Sequence, residues 1–336
     1  MNAPLKAKDF ATDQEVRWCP GCGDYAILKC VQKVMADIGA TPDKTAFVSG
    51  IGCSSRFPYY MNAYGFHTIH GRAPAFATGL KLAQPDLDVW LVTGDGDGLS
   101  IGGNHMLHVL RRNVDMQIML FNNEIYGLTK GQFSPTSRPG TKSPSSPSGS
   151  FDAPVTAGAF ALGAGAKFIA RGIDTDAKNL GVTLKAAHEY KGAAFVEIFQ
   201  NCIVYNKDVF DDFVAKKTAP ETQIHVEHGA PLTFAKGTKG LRLNPQTLSL
   251  EVVTVGDNGV TEADLLVHDE TNPTIAQLLL NMPKETFPMA LGVIYRVNQP
   301  TYDQSFWSNH ATKGKRTGKV ADALRMGSVW TKNDQK

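Results

Sequence analysis

DVWLVTGDGD, residues 88–97, is a mostly apolar run that ends in a turn with two glycines, and it is the strongest indication of the fold in the sequence. The apolar run predicts a buried strand, and the glycines predict a sharp turn at its end. NHMLHVLRRN, residues 104–113, has the apolar spacing of a helix, and MQIMLFNN, residues 116–123, predicts a second strand. Strand, glycine turn, helix and strand in this order indicate a parallel α/β sheet.

The same alternation extends over about residues 20–200, with a predicted helix at Asp24–Ile38 and a predicted strand in AAFVEIFQNC, residues 193–202. We therefore expect an α/β domain over residues 1–210, with a parallel sheet and helices on both faces. From residue 211 the pattern changes to short β-like runs and polar turns. This change predicts a smaller C-terminal extension over residues 211–336.

One stretch inside the predicted domain has no apolar anchor. Residues 134–150, SPTSRPGTKSPSSPSGS, are rich in serine and proline. This composition is typical of a mobile surface loop, and a loop of this length within a domain often forms a lid or a binding element.

The composition of the 336-residue chain argues against several classes of protein. Its 34 basic and 32 acidic residues leave a net charge of +2, and no cluster of Lys and Arg indicates a nucleic-acid surface. The N-terminal residues lack the layout of a secretion signal, and no uncharged apolar run reaches the roughly 18 residues of a membrane span. We expect a cytoplasmic protein with neither a membrane nor a nucleic-acid partner, whose five cysteines serve metal binding or catalysis.

Two side chains with oxygen ligands follow the two central strands. Asp95 lies in the GDGD turn, and Asn123 follows the next strand. Because parallel strands open their carboxyl ends on one edge of a sheet, we expect both side chains at one site. Hard oxygen ligands suit Mg²⁺, and a glycine turn before a helix accommodates a phosphate. An ordinary Asp-Gly turn without a ligand is the alternative.

Four of the five cysteines are also expected at this side of the sheet. Cys19 and Cys22 form WCPGC, Cys53 follows a predicted strand, and Cys202 ends another, whereas Cys30 lies on a helix as a small buried side chain. WCPGC by itself permits a redox disulfide, half of a Cys₄ zinc site or half of an iron–sulfur site. The polar segment before it argues against the disulfide. The wide spacing of the other cysteines favours iron–sulfur, with zinc as the alternative.

The GDGD turn and the later asparagine resemble the thiamine diphosphate signature, which is GDG followed, after one more helix and strand, by Asn. In that family Mg²⁺ binds the Asp, the Asn and a backbone carbonyl two residues on. The resemblance implies that Asp95, Asn123 and the carbonyl of Ile125 hold Mg²⁺, and that Gly94, Gly96 and Asp97 line the diphosphate.

A wider resemblance, to the β subunits of the 2-oxoacid:ferredoxin oxidoreductases, covers about residues 15–210. It rests on WCPGCGDY, GIGCSSRFPYY, HGRAPAFATGLKLAQPD, GDGDGLSIGGNHMLHVLRRN and NNEIYGLTKGQFSPTS. It implies a thiamine diphosphate-binding fold and a [4Fe–4S] cluster on Cys19, Cys22, Cys53 and Cys202. NEIYGLTKGQ–SPTS is more similar to members that act on 2-oxoglutarate, with pyruvate-specific or broad-specificity members as alternatives.

The reaction implied by the resemblance is CoA-dependent oxidative decarboxylation of 2-oxoglutarate to succinyl-CoA and CO₂, or the reverse, carbon-fixing direction. The thiazolium ring serves as the electron sink for decarboxylation, and the cluster passes single electrons to ferredoxin. Two other functions are alternatives, a cluster-free thiamine decarboxylase and a Cys₄ zinc-stabilised interaction protein.

The resemblance also implies roles for side chains around the cofactor. The further residues predicted to contact it are Ile51, Gly52, Cys53, Ser54, His70, Leu128 and Thr129. His70 is the predicted catalytic proton donor or hydrogen-bonding group, with a structural, helix-capping histidine as the alternative. Arg56 and Lys130 are predicted to pair with the substrate carboxylates, with solvated surface cations as the alternative.

One expected group has no good candidate in the sequence. Thiamine enzymes need a glutamate bonded to the aminopyrimidine ring, and Glu124 lies inside the metal turn, where it is badly placed for that role. In the resembled family the partner α subunit supplies this glutamate. We therefore expect an αβ heterodimer, paired into (αβ)₂, as the active unit.

Overall fold

The computed structural model of the chain describes residues 4–311 and 319–330. Within these ranges the strands are β1 (Thr45–Ser49), β2 (Tyr64–His67), β3 (Asp88–Gly94), β4 (Met116–Asn122), β5 (Phe168–Ile173), β6 (Ala193–Phe199), β7 (Gln223–His225), β8 (Thr233–Phe234), β9 (Lys239–Asn244), β10 (Ser249–Thr254) and β11 (Met289–Arg296). The helices are α1 (Asp24–Asp37), α2 (Ala73–Ala83), α3 (Gly103–Arg112), α4 (Ala157–Gly163), α5 (Ala177–Glu189), α6 (Asp211–Val214), α7 (Ala219–Thr222), α8 (Pro273–Leu280), α9 (Tyr302–Ala311) and α10 (Val320–Leu324).

The main sheet contains eight of these strands, in the order β2-β1-β3-β4-β6-β5-β11-β7. Its neighbouring strands are parallel except for β5 and β11, which are antiparallel. The predicted parallel α/β fold is therefore confirmed. The edge strand β2 was not predicted, because all four of its residues are exposed and leave no alternating apolar pattern.

Helices cover both faces of the sheet. On one face, α1 and α5 pack against residues such as Phe47, Trp90 and Met119. On the other, α2, α3, α4 and α8 pack against the intervening residues, such as Leu91 and Leu120. Successive side chains of a strand point to opposite faces, and so an almost wholly apolar strand is buried on both sides.

The register of the central strands brings their carboxyl ends to one edge. Gly94 at the end of β3 lies beside Phe121 of β4, and Asn122 at the end of β4 lies beside Phe199 of β6. The GDGD turn, the turn after β4 and the segment leading to Cys202 therefore start from adjacent positions. This edge holds the candidate site.

Residues after 210 take part in two sheets. β11 and β7 extend the main sheet, and β8, β9 and β10 form a separate three-stranded antiparallel sheet. β11 covers the side of β5 that would otherwise be an unpaired edge. The boundary at residues 210/211 stays a prediction, and residues 312–318 and 331–336 of the predicted extension lie outside the described residues. Of the helices in the described ranges, none combines the length and apolar character needed to span a bilayer.

Candidate active site

A single cleft at the carboxyl edge of the sheet brings the predicted cofactor residues together. It is lined by Ile51, Gly52, Cys53, Ser54, His70, Gly94, Asp95, Gly96, Asp97, Asn123, Ile125, Leu128 and Thr129. Phe121, Tyr126, Gly127 and Gln200 complete the lining. These residues come from five separate segments, which follow β1, β2, β3, β4 and β6, so the cleft exists only because the parallel strands end side by side.

Asp95 is a buried carboxylate that is suited to bind a cation. Its side chain is 2% exposed, and its Oδ2 accepts a hydrogen bond of 2.7 Å from the Thr136 hydroxyl. Burial raises the pKa of Asp95 to about 6, although hydrogen bonds from Ser134 and Thr136 partly oppose this shift. Within the described residues, the side chains that bond this carboxylate are the uncharged hydroxyls of Thr136 and Ser134, so a cation bound there would stabilise its ionised form.

Asp97 holds several segments of the cleft together through hydrogen bonds. Its Oδ1 accepts hydrogen bonds from the backbone N–H of Ile51 at 3.1 Å and of Gly71 at 2.7 Å. The same oxygen lies 2.5 Å from Nδ1 of His70, and Oδ2 accepts a 2.6 Å bond from the Thr93 hydroxyl. Asp97 therefore fixes the turn after β1 and orients the His70 ring, and no hydrogen bond joins Nε2 of that ring to another residue in the part of the chain that the structure describes.

The turn after β4 is held by several hydrogen bonds. Oδ1 of Asn123 accepts a 3.2 Å bond from the N–H of Ile125, and Nδ2 of Asn123 donates to Oε1 of Gln200 at 2.7 Å. Asn206 donates to the Asn123 carbonyl at 2.9 Å. Glu124 lies between Asn123 and Ile125, two of the three predicted metal ligands. It has a φ of +55°, a left-handed conformation that costs a non-glycine residue of the order of 1 kcal/mol or more.

The side chain of Glu124 points into a different cavity, behind the turn. One of its oxygens lies 3.1 Å from Nε of Arg138 and the other lies 2.7 Å from Nζ of Lys284. Its carboxylate is 3% exposed, and the two cations compensate its burial. Glu124 is thus engaged as a structural ion pair, which agrees with its predicted unsuitability for the aminopyrimidine.

Gly96 allows the close approach of Tyr126 to the GDGD turn. The Tyr126 hydroxyl donates a 3.0 Å hydrogen bond to the Gly96 carbonyl. A Cβ atom at Gly96 would lie 2.2 Å from the Tyr126 ring, so any other residue would displace the ring from the cleft wall.

A second cavity adjoins the cleft and contains the four predicted cluster ligands. Its lining includes Cys19, Cys22, Cys53 and Cys202, and these are free cysteines. A Cβ atom at Gly127 would lie 3.5 Å from the sulfur of Cys53 and 3.6 Å from that of Cys202, so these two sulfurs face the same point. Cys30 is buried elsewhere, with its thiol 3.5 Å from the Ala177 carbonyl.

Local contacts bring the distant cysteine segments together. The indole N–H of Trp18 donates to the Cys53 carbonyl at 2.7 Å, and the N–H of Gly23 donates to the Asn201 carbonyl at 3.2 Å. The first bond joins WCPGC to the turn after β1, and the second joins it to the segment that carries Cys202. Sequence spacing alone does not reveal these contacts.

Two of the cysteine thiols, those of Cys22 and Cys53, have raised pKa values. Burial, with smaller contributions from the nearby charge of Asp24 and from the other cysteines, raises the pKa of Cys53 to about 12. Burial also raises the pKa of Cys22 well above its usual range. Within residues 4–311 and 319–330, no three His, Cys, Asp or Glu side chains converge closely enough to hold a single metal ion. The thiols instead surround a cavity, and a positive inorganic centre in it would convert them to thiolates.

Arg56 and Lys130 occupy different surroundings. Arg56 lines the cysteine cavity, and its guanidinium donates to the Arg17 carbonyl at 3.0 Å. Lys130 is exposed, has a φ of +76° and does not line the cleft. The structure therefore brings Arg56, but not Lys130, to the border of the site.

Several residues of the site were not predicted from the sequence. Thr136 and Ser137 belong to the stretch predicted as a mobile loop or lid, but both are buried, and Thr136 contacts Asp95. Arg138 and Lys284 hold Glu124, and Gln200 contacts both Asn123 and Cys22. The available signal for Gln200 was its place directly after β6, at the edge where the other site residues lie.

Comparison with known proteins identifies the family. A family model, the C-terminal TPP-binding domain of thiamine pyrophosphate enzymes, matches residues 50–198. The 2-oxoglutarate oxidoreductase subunit KorB of Mycobacterium tuberculosis is 49% identical over 338 residues, which cover 98% of this chain and 89% of the relative. The chain belongs to the 2-oxoacid:ferredoxin oxidoreductase β subunits. The predicted family and the thiamine diphosphate-binding fold are therefore confirmed.

Two further comparisons agree with this membership of the β-subunit family. Subunit β of 2-oxoacid:ferredoxin oxidoreductase 1 from Aeropyrum pernix is 48% identical over 197 residues, or 59% of this chain and 62% of the relative. The 2-oxoglutarate:ferredoxin oxidoreductase from Magnetococcus marinus, solved with 2-oxoglutarate, coenzyme A and succinyl-CoA bound, matches with a TM-score of 0.75. It is 33% identical in sequence, and the match covers 97% of each chain.

Proposed function

We propose that this β subunit belongs to an enzyme that converts 2-oxoglutarate and CoA to succinyl-CoA and CO₂ and passes the electrons to ferredoxin. The main support for this proposal is that two cavities lie next to each other, one lined by the GDGD turn and the other by four cysteines. They share Cys53, Asn123, Gly127, Leu128 and Gln200 in their walls. A decarboxylase alone needs only the first cavity, and the second supports electron removal next to the reacting carbon.

The reaction balances with these components. Each 2-oxoglutarate loses CO₂ and gives two electrons to two ferredoxins, while the succinyl group forms a thioester with CoA and the CoA thiol releases its proton. Thiamine diphosphate, when bound, supplies the electron sink for decarboxylation, and a [4Fe–4S] cluster supplies a one-electron acceptor. The names of the Mycobacterium tuberculosis relative and of the Magnetococcus marinus enzyme support 2-oxoglutarate as the substrate.

The donor set around Asp95 fits Mg²⁺ and a diphosphate. Asp95, the Oδ1 of Asn123 and the carbonyl of Ile125 would hold the metal, since all three residues line one cleft and provide hard oxygen ligands. The burial of the Asp95 carboxylate among uncharged hydroxyl groups supports this role. The glycines of GDGD leave the backbone free to approach the diphosphate.

His70 would hold or deliver a proton near the substrate. Its Nδ1 is taken by Asp97, so Nε2 is the nitrogen available to a ligand in the cleft. Asp97 thereby acts as a positioning residue for His70, in addition to lining the cleft.

The four thiols around one cavity fit an iron–sulfur cluster. Cys19, Cys22, Cys53 and Cys202 would each bind one corner of a [4Fe–4S] centre. A single zinc ion would require all sulfurs at about 2.3 Å from one point, whereas these cysteines line an open cavity.

A partner α subunit would complete the site. Asp95 accepts a hydrogen bond from Thr136, and Asp97 accepts one from the backbone N–H of Gly71. Glu124 forms ion pairs with Arg138 and Lys284. These contacts support a glutamate supplied in trans for the aminopyrimidine, in an αβ unit that pairs into (αβ)₂.

Arg56 is the better placed of the two proposed substrate cations, because it lines the cysteine cavity next to the shared wall. Its guanidinium would pair with the distal carboxylate of 2-oxoglutarate, which pyruvate lacks. Lys130 stays a candidate only if its exposed segment moves towards the cleft on substrate binding.

The test uses the anaerobically co-expressed αβ complex. We expect a brown preparation whose absorption near 400 nm is bleached by dithionite, and CoA-dependent ferredoxin reduction with kcat/KM at least about tenfold higher for 2-oxoglutarate than for pyruvate. Arg56→Ala should reduce this preference, whereas Lys216→Ala, at an exposed site, should keep it. A colourless, zinc-containing complex would refute the function, and an intact preference in Arg56→Ala would refute the role of Arg56.

A further inference from the structure

Gln200 is the one side chain in the described residues that hydrogen-bonds to both a proposed Mg²⁺ ligand and a proposed cluster ligand. Its Oε1 accepts a 2.7 Å bond from Nδ2 of Asn123, and its Nε2 lies 3.2 Å from the sulfur of Cys22. It also lines both the cofactor cleft and the cysteine cavity. We propose that Gln200 is a positioning residue that orients the metal-binding amide and tunes the reduction potential of the cluster.

The position of Gln200 is tightly determined. It is 1% exposed and directly follows β6, and its backbone N–H donates to the Asn122 carbonyl at 2.9 Å. Nε2 makes a further 2.6 Å bond to the Asn201 carbonyl. A buried amide is costly unless its donors and acceptor are bonded, and these partners fix which end faces each centre.

The hydrogen bond between Gln200 and Asn123 determines the direction in which the side-chain oxygen of Asn123 points. Because Nδ2 of Asn123 donates to Gln200, its Oδ1 is directed away and accepts from the N–H of Ile125. That oxygen is the proposed metal ligand. Partners that orient a metal ligand commonly contribute about 10- to 100-fold in metal affinity.

The contact with Cys22 acts on the cluster. An N–H donor to a cluster thiolate stabilises the more negative, reduced state, and so raises the reduction potential. Removing the donor should therefore make the cluster harder to reduce. This inference rests on the proposed function, because it requires both centres to be present.

Two variants in the αβ complex separate the contacts. Gln200→Leu removes both, and we expect the thiamine diphosphate–Mg²⁺ dissociation constant to rise about tenfold. The cluster midpoint potential, from an anaerobic redox titration followed by EPR, should fall by an amount equal to a tenfold change in equilibrium constant, 59 mV for one electron. Gln200→Glu keeps an acceptor for Asn123 but has no donor when ionised, so the potential should fall while cofactor affinity stays near wild type.

Gln84→Leu is the matched control, because Gln84 is an exposed glutamine at the end of α2. If both Gln200 variants match Gln84→Leu in potential and in cofactor affinity, this inference is wrong while the proposed function stands. If Gln200→Leu does not assemble, Gln200→Glu decides the effect on the potential, and an unchanged potential there refutes it. A wild-type complex without a cluster or without cofactor binding would refute the proposed function itself.

Discussion

The cofactor cleft and the cysteine cavity share one edge of the sheet but are prepared for their ligands in different ways. In the cleft, Asp97 has four bonded donors, and the turn after β4 is held from several sides. In the cysteine cavity, Cys22 and Cys53 are half-buried, and this partial burial raises the pKa of their thiols. Apart from Asp95, whose ionised form a bound cation would stabilise, the cleft is therefore preorganised by the protein, whereas the cavity would need the charge of an inorganic centre to stabilise thiolates.

Because of this difference, the proposed cofactor site and the proposed cluster should be separable in experiments. Losing the cofactor should leave the cleft geometry largely intact, because its hydrogen bonds are made within the protein. Losing the proposed cluster should change the cavity, because its thiolate ligands would have the inorganic centre as their main compensating charge.

Cys202→Ser should abolish ferredoxin reduction in the αβ complex, because the proposed cluster would lose one of its four proposed thiolate ligands. We expect thiamine diphosphate affinity to stay within about threefold of wild type, since the preorganised cleft does not depend on the cluster. Iron content, visible absorption and calorimetric cofactor binding measure these effects. Cys30→Ser, on α1 and outside the cavity, should retain the cluster. Loss of cofactor binding in Cys202→Ser would show that the two centres are not separable.

Asp95→Asn should weaken cofactor binding by about 100-fold or more, since a direct ligand contributes at least as much as an outer partner. The amide cannot provide the negative charge that Mg²⁺ prefers. Iron content should match wild type, and Asp86→Asn, at an exposed position, serves as the control. A near-normal dissociation constant in Asp95→Asn would contradict the proposed metal site.

Lys284→Met should weaken cofactor binding by only several-fold, because Glu124 keeps its pair with Arg138. The change tests whether residues after 210 contribute to the preorganised cleft through the metal turn. At saturating cofactor, kcat should be near wild type, and Lys284→Arg should restore the affinity. Lys216→Met, at an exposed lysine, gives the baseline. Equal affinities in Lys284→Met and Lys216→Met would mean that the ion pair does not support the turn.

The limits of sequence-based prediction are visible in particular residues. Asp95 and Asn123 were placed together correctly because parallel strands with right-handed connections open on one edge. Thr136 was missed because its stretch lacks the apolar pattern of a packed segment, yet its hydroxyl bonds Asp95. Lys284 was missed because it reaches Glu124 from 160 residues away along the chain.

The parallel α/β class, the GDGD turn and the four cysteines of the proposed cluster could be predicted from the sequence, since each follows from local periodicity or from residue type and spacing. Packing of distant segments was needed to show that β11 extends the main sheet beside β5, that Glu124 pairs with Arg138 and Lys284, and that Gln200 bonds both Asn123 and Cys22. These contacts depend on side-chain directions and on distances between segments far apart in the chain. Such distances are set by packing of the whole domain, which local patterns do not specify.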